Sequence, residues 1–200
     1  MIEHIKHDPI LGEVDLPEIP YPFVLVNKFS TESYKEFMKD CTKVMSAGFD
    51  FLPIVIDSYG GEVYSLLAMC DYLRNCDKKI ITVCEGKAMS CGAILMSMGD
   101  ERYIGNNATV MVHSVSSMEW GKESEIAHGA KEVTRLNNLI YRMLDDNTGQ
   151  EKGFWRSKIR EIENAELYLS AKKAKEYGMA TDIGIPKIQT EVKLTRTLVV

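Results

Sequence analysis

The run Ile80-Ile81-Thr82-Val83-Cys84-Glu85-Gly86-Lys87-Ala88-Met89-Ser90-Cys91-Gly92-Ala93-Ile94-Leu95-Met96 decides how this chain folds. It opens on five apolar or β-branched residues, which predict a strand over 80–84. It closes on an unbroken apolar segment that predicts a buried helix through Met98. Between them lie small residues, and Gly86 and Gly92 let the backbone turn tightly and let another segment come close. Ser90 therefore stands at a strand-to-helix junction. Two readings of it are open: an ordinary helix N-cap, or a hydroxyl presented outward on a tight turn, with the free N–H groups of the following helix aimed at the same place.

The same alternation repeats on both sides. Upstream, 51–57 reads as a strand that ends in Ser58-Tyr59-Gly60-Gly61, and 62–75 as a helix with Val63, Leu66, Leu67, Cys70 and Leu73 on one side. Before these come a short strand at 23–26 and a helix at 31–47, with Ser30 or Thr31 as N-cap. Downstream, 102–104 and 109–113 read as short strands around an Asn106-Asn107 turn. A long helix follows at 122–147, with an apolar stripe of Ile126, Val133, Leu136, Ile140, Met143 and Leu144, ended by Gly149. Then come a helix at 154–162, an extended pair at 168–169 and a helix at 171–177, with Gly178 as its C-terminal cap. Strands alternating with helices predict an α/β fold with a largely parallel sheet. In such sheets sites form where strand ends meet helix starts. Two segments have that form, at 57–62 and 85–92.

The 200 residues suit one core-bearing domain, here 21–185. It is flanked by a polar arm at 1–20, broken by Pro9, Pro17 and Pro20, and by a weakly alternating tail at 186–200. The net charge of −5, with no basic run, argues against nucleic-acid binding. No stretch approaches the ~20 apolar residues of a membrane span, and the first residues lack a signal-peptide core, so a cytoplasmic protein with no membrane partner is expected. The five cysteines are odd in number and form no Cys-x-x-Cys pair, which points to reduced thiols. The four histidines show no metal-type spacing, so neither a metal nor any other cofactor is expected.

Paired glycines such as Gly60-Gly61 turn main-chain N–H groups toward a developing negative oxygen, or simply make a turn. His113, at a strand end, is placed to act as a base, or is an ordinary structural histidine. His4, His7 and His128 have no neighbouring motif and receive no role.

Together these blocks resemble the ClpP proteolytic subunit of Clp proteases, from near Phe23 to about Gly184. The family's Ser-Pro-Gly-Gly turn stands as Ser58-Tyr59-Gly60-Gly61. Its Gly-x-Ala-x-Ser-x-Gly-Ala signature stands as 86–93, and its Asn-x-x-Val-Met-Ile-His segment is matched at 106–113. Its His-Thr-Gly-Gln is echoed at 146–150. Its Asp-x-Phe-Leu-Ser-Ala-x-x-Ala-x-Glu-Tyr-Gly block stands as 166–178.

The resemblance implies a ClpP/crotonase-type spiral of β-β-α units with a long protruding helix. It implies a serine endopeptidase with Ser90 as nucleophile, His113 as general base and Glu166 in place of the family's aspartate. The amides of Gly61 and Cys91 would form the oxyanion hole. It also implies a homo-oligomer, a heptameric ring or stacked rings, that degrades unfolded polypeptide supplied by a separate AAA+ unfoldase. The chain itself has no Gly-x-x-x-x-Gly-Lys-(Ser/Thr) phosphate loop.

Tyr59 replaces the family's proline, Ala165 replaces an arginine used between rings, and 114–121 has few glycines. These departures leave open a phage-encoded member that matures capsids and a catalytically degenerate scaffold subunit. Two further readings, a Ser-Lys dyad using Lys87 and an acyl-CoA enzyme sharing the fold, rank below the Ser-His peptidase. The thiol of Cys91 reads either as an inert apolar neighbour of Ser90, which is preferred, or as a group whose pKa the helix N-terminus lowers.

Overall fold

The computed structural model describes residues 23–116, 120–163 and 165–188. The expected arm at 1–20 and the tail beyond 188 lie outside them. The strands are β1 (Val24–Val26), β2 (Phe51–Ser58), β3 (Lys79–Met89), β4 (Glu101–Ile104), β5 (Thr109–Val112), β6 (Leu167–Ser170) and β7 (Asp182–Ile183). The helices are α1 (Thr31–Ser46), α2 (Val63–Arg74), α3 (Cys91–Ser97), α4 (Glu123–Thr148), α5 (Phe154–Glu161) and α6 (Ala171–Glu176).

β2 and β3 form the centre of the sheet because their inward positions are nearly all apolar: Leu52, Ile54, Ile56, Ile80, Val83, Cys84 and Ala88 are buried. The strand order β1-β2-β3-β4-β7 is parallel throughout. β3 is long enough to serve two neighbours in succession. Its residues 81–84 pair with β4 and its residues 87–89 with β5, both parallel. β4 and β5 thus follow one another along β3, and the turn at Asn106-Asn107 is a jog between collinear strands. β6 pairs antiparallel with β5. This is the α/β architecture that the alternating pattern predicts.

One boundary differs. The sequence reading ends the third strand at Cys84, whereas β3 continues to Met89. Beyond Gly86 the strand finds new ladder partners: Ala88 pairs with Ser58 on one side and Val110 on the other, and Met89 pairs with Met111. Tertiary pairing overrides the local breaker signal. The β2–β3 register shifts between Ile56 and Ser58, and such an irregularity increases local twist beside a site. β7 was not foreseen; two residues are too few to show a period.

α1 starts at a reciprocal cap: the Ser30 hydroxyl accepts from the Ser33 N–H at 3.2 Å, and the Ser33 hydroxyl accepts from the Ser30 N–H at 2.8 Å. Its buried Phe37, Cys41 and Val44 face α2, where Tyr72 meets Phe37 edge-on at 5.8 Å. Every residue of α3 is buried.

α4 is divided. Its C-terminal half buries Leu136, Ile140, Met143 and Leu144, while residues 123–128 are exposed. Ile126, expected in the buried stripe, is 46% exposed, because no described element packs against the first turns of α4. The buried Asp145 carboxylate accepts from the N–H groups of Gly153 (2.7 Å) and Trp155 (3.0 Å) and so caps α5. Among the described residues no helix is long and apolar enough to cross a membrane.

Candidate active site

The Gly60-Gly61 turn follows β2. The buried hydroxyl of Ser58 donates to the Asn27 carbonyl (2.9 Å) and accepts from the Gly60 N–H (3.0 Å), pinning the start of the turn. Gly60 and Gly61 have φ of 109° and 151°. A Cβ on Gly60 would lie 2.7 Å from Ser90 Cβ, and one on Gly61 2.4 Å from the Phe29 carbonyl oxygen. Only glycine fits either place. The Glu62 N–H donates to that Phe29 carbonyl (2.9 Å), and the Gly61 amide makes no hydrogen bond among the described residues.

Ser90 lies against this turn. Its backbone has φ 55° and ψ −120°, a strained conformation for a side-chain-bearing residue, and its N–H donates to the Met111 carbonyl at 2.8 Å. Such a conformation costs about 1–3 kcal/mol and persists where surrounding structure over-determines it. Although Ser90 holds the N-cap position of α3, its hydroxyl makes no capping bond. Instead Oγ lies 2.8 Å from His113 Nε2. The N-cap reading is thus replaced by a Ser–His pair. His113 follows the last residue of β5 and is half-buried. If its Nδ1 carries the proton, Nε2 accepts from the serine hydroxyl, the polarity a general base needs.

Cys91 is 2% exposed, and its thiol donates to the Gly61 carbonyl at 3.3 Å. Burial pushes the thiol up to about 11, against a smaller lowering by the hydrogen bond to Gly61. Burial therefore favours the protonated thiol near pH 7.

Lys87 does not approach the nucleophile. Its ammonium pairs with Asp57 at 2.7 Å and lies 4.5 Å from the centre of the Tyr59 ring. The Asp57 hydrogen bond favours the charged ammonium and raises its pKa.

Glu166 immediately precedes β6. The β5–β6 register runs Met111 to Tyr168 and Val112 to Leu167, so one further step sets His113 opposite Glu166. Among the described residues no hydrogen bond or ion pair joins Glu166 to His113; its Oε2 accepts instead from the Tyr168 hydroxyl at 2.6 Å.

Ser90, His113, Gly61 and Cys91 line one cavity of about 70 Å³, whose remaining wall is mainly apolar: Val63, Leu66, Ile94, Val115 and Ile140. A larger cavity of about 500 Å³ between α1 and the end of α2 touches none of these residues. The Ser90–His113 pair opens into the smaller one. Two contributors were not read from the sequence: the Ser58 hydroxyl, hidden inside a motif read for its glycines, and Tyr168, marked only by standing where the matched block has phenylalanine. His128 lies on the exposed part of α4, and His4 and His7 lie outside the described residues. Among the described residues no three metal-ligating side chains cluster.

The Clp protease family model matches residues 30–187. A relative in Frankia casuarinae, the ATP-dependent Clp protease proteolytic subunit 2, is 33% identical over 134 residues, which cover 66% of this chain and 60% of the relative. The matched stretch thus spans about three fifths of that relative's length.

Proposed function

The chain belongs to the Clp protease family, and from that premise we propose that it is a serine endopeptidase forming an acyl-enzyme on Ser90. The 2.8 Å approach of Ser90 Oγ to His113 Nε2 carries this reading. In the proposed reaction His113 takes the hydroxyl proton as Ser90 attacks the scissile carbonyl. The amides of Gly61 and Cys91 receive the oxyanion, and His113 then gives its proton to the leaving amine. A water activated by the same imidazole releases the acyl group. Glu166 is the proposed partner of His113 Nδ1, fixing the tautomer and stabilising the imidazolium.

The apolar wall of the cavity suits a substrate with an apolar side chain of modest size before the cleaved bond. The relative's name, a proteolytic subunit of an ATP-dependent protease, supports an assembly of several copies fed by a separate ATP-driven unfoldase. Enclosing the sites would keep an unselective triad away from folded proteins. The cytoplasm is the proposed compartment.

A fluorophosphonate tests the reading. The full-length wild-type protein at pH 8 should be labelled on Ser90 and should cleave an unstructured peptide; Ser90→Ala should do neither. Assembled wild-type protein that stays unlabelled would count against the peptidase and in favour of a scaffold subunit.

A further inference from the structure

We propose that Tyr168 is a positioning residue, its hydroxyl clamping one oxygen of Glu166 so that the other is presented to His113. This rests on the reading of Ser90, His113 and Glu166 as one relay.

Extending the printed register by one step sets Glu166 directly across from His113. Directly opposed residues of an antiparallel pair share a face, with Cβ atoms about 4.5–5.5 Å apart. A glutamate carboxylate reaches an imidazole over that span, but it has one more rotatable bond than an aspartate. It is also exposed here, so nothing in the packing selects its rotamer. Ordering a free glutamate side chain costs up to about 1.5–2 kcal/mol of conformational entropy.

The Tyr168 hydroxyl removes part of that freedom. Tyr168 is two residues from Glu166 and therefore on the same face of the strand. It donates to Oε2, at 2.6 Å, a length typical of a charge-assisted bond, and among the described residues Oε1 has no hydrogen-bond partner. The carboxylate in turn raises the phenol's pKa, so the hydroxyl remains a donor where an esterase or peptidase works. Glu166 and Tyr168 are also the two positions where the chain departs from the matched Asp-x-Phe block, by a longer acid and by the one hydroxyl that binds it.

The test is kcat and KM on a fluorogenic peptide for the full-length wild type, Tyr168→Phe, Glu166→Asp and the double variant. Tyr168 is 55% exposed, and losing one oxygen there leaves the core intact. Tyr168→Phe should lower kcat about five- to tenfold with KM unchanged, and should change it by less than about twofold in the Glu166→Asp background, since coupled residues are non-additive. The inference is overturned if Tyr168→Phe leaves kcat unchanged beside Glu166, or lowers it equally in both backgrounds. Wild-type kcat in Glu166→Ala would remove the acid and this inference with it. A wild type neither labelled nor active would remove the peptidase reading itself.

Discussion

The two ends of the proposed relay are built differently. At the nucleophile end the main chain does the positioning. Ser90 is held by a hydrogen bond to Met111, by a strained φ of 55° and by Gly60 packed against its Cβ, all beside a fully buried helix. At the acid end a side chain does it. Glu166 is exposed, lies just outside the β5–β6 ladder and is held by one hydroxyl. A group fixed by backbone geometry tolerates little change around it, whereas a group fixed by a rotamer can be re-aimed.

The largest expected effects therefore fall at the nucleophile end. Ser90→Ala should reduce kcat by at least about 10³-fold while leaving substrate binding measurable, in line with the cost of removing the serine of other triads. Gly60→Ala tests the packing more sharply, because it changes no reacting group. Its Cβ would lie 2.7 Å from Ser90 Cβ and 3.1 Å from Oγ. A displacement of about 1 Å at the nucleophile can cost 10²-fold in rate, and that loss is expected. Near-wild-type activity in Gly60→Ala would break the contrast, since it would make the nucleophile as adaptable as the acid.

At the acid end the effect should be smaller. Glu166→Gln keeps the shape and removes the charge. Loss of a buried triad acid's charge costs about 10⁴ in rate. Here the carboxylate is exposed and water screens it, so a loss nearer 10- to 10²-fold is expected, read as a fall in kcat on the same peptide. A 10⁴-fold loss would mean that the acid end is enclosed in the working assembly. That outcome would redraw the comparison.

The same contrast explains what was legible in the sequence. Ser90, Gly60-Gly61 and His113 stood out because backbone demands restrict residue type: glycine where a Cβ collides, small residues at the turn, and a histidine one step beyond a strand. Their meeting, with Oγ 2.8 Å from Nε2, follows once Met89 and Met111 are paired on adjacent parallel strands. Glu166 was found only through the block around it. Its carboxylate bond to Tyr168 is a matter of side-chain torsions, which no periodicity encodes. The strand extension to Met89 was missed for a related reason: Gly86 is a local breaker, but its neighbours gain ladder partners that only the folded sheet supplies. The exposed start of α4 was misjudged because its apolar positions keep the helical period where no described element covers them.

The smallest expected effects concern Cys91, the residue next to the nucleophile, and they test whether the rigid end is also chemically quiet. Its thiol is pushed up to about 11 by burial, and those of Cys41, Cys70 and Cys84 to about 12, from an ordinary value of 9.0. Cys91→Ser keeps a donor to the Gly61 carbonyl and should leave kcat at pH 8 within about twofold. Iodoacetamide at pH 8 should modify the half-buried Cys76 well before Cys91. The pH dependence has a definite sign. A thiol whose pKa is higher in the folded state keeps its proton there while the unfolded chain ionises. Stability is therefore complete below pH 9 and falls as pH rises toward 11 and 12. The urea midpoint should drop across that window, and Cys91→Ser should make the drop shallower by one thiol's share. Rapid alkylation of Cys91, or a drop no shallower in Cys91→Ser than in the wild type, would mean that the helix N-terminus activates this thiol after all, and the quiet neighbour of Ser90 would become a second reactive group.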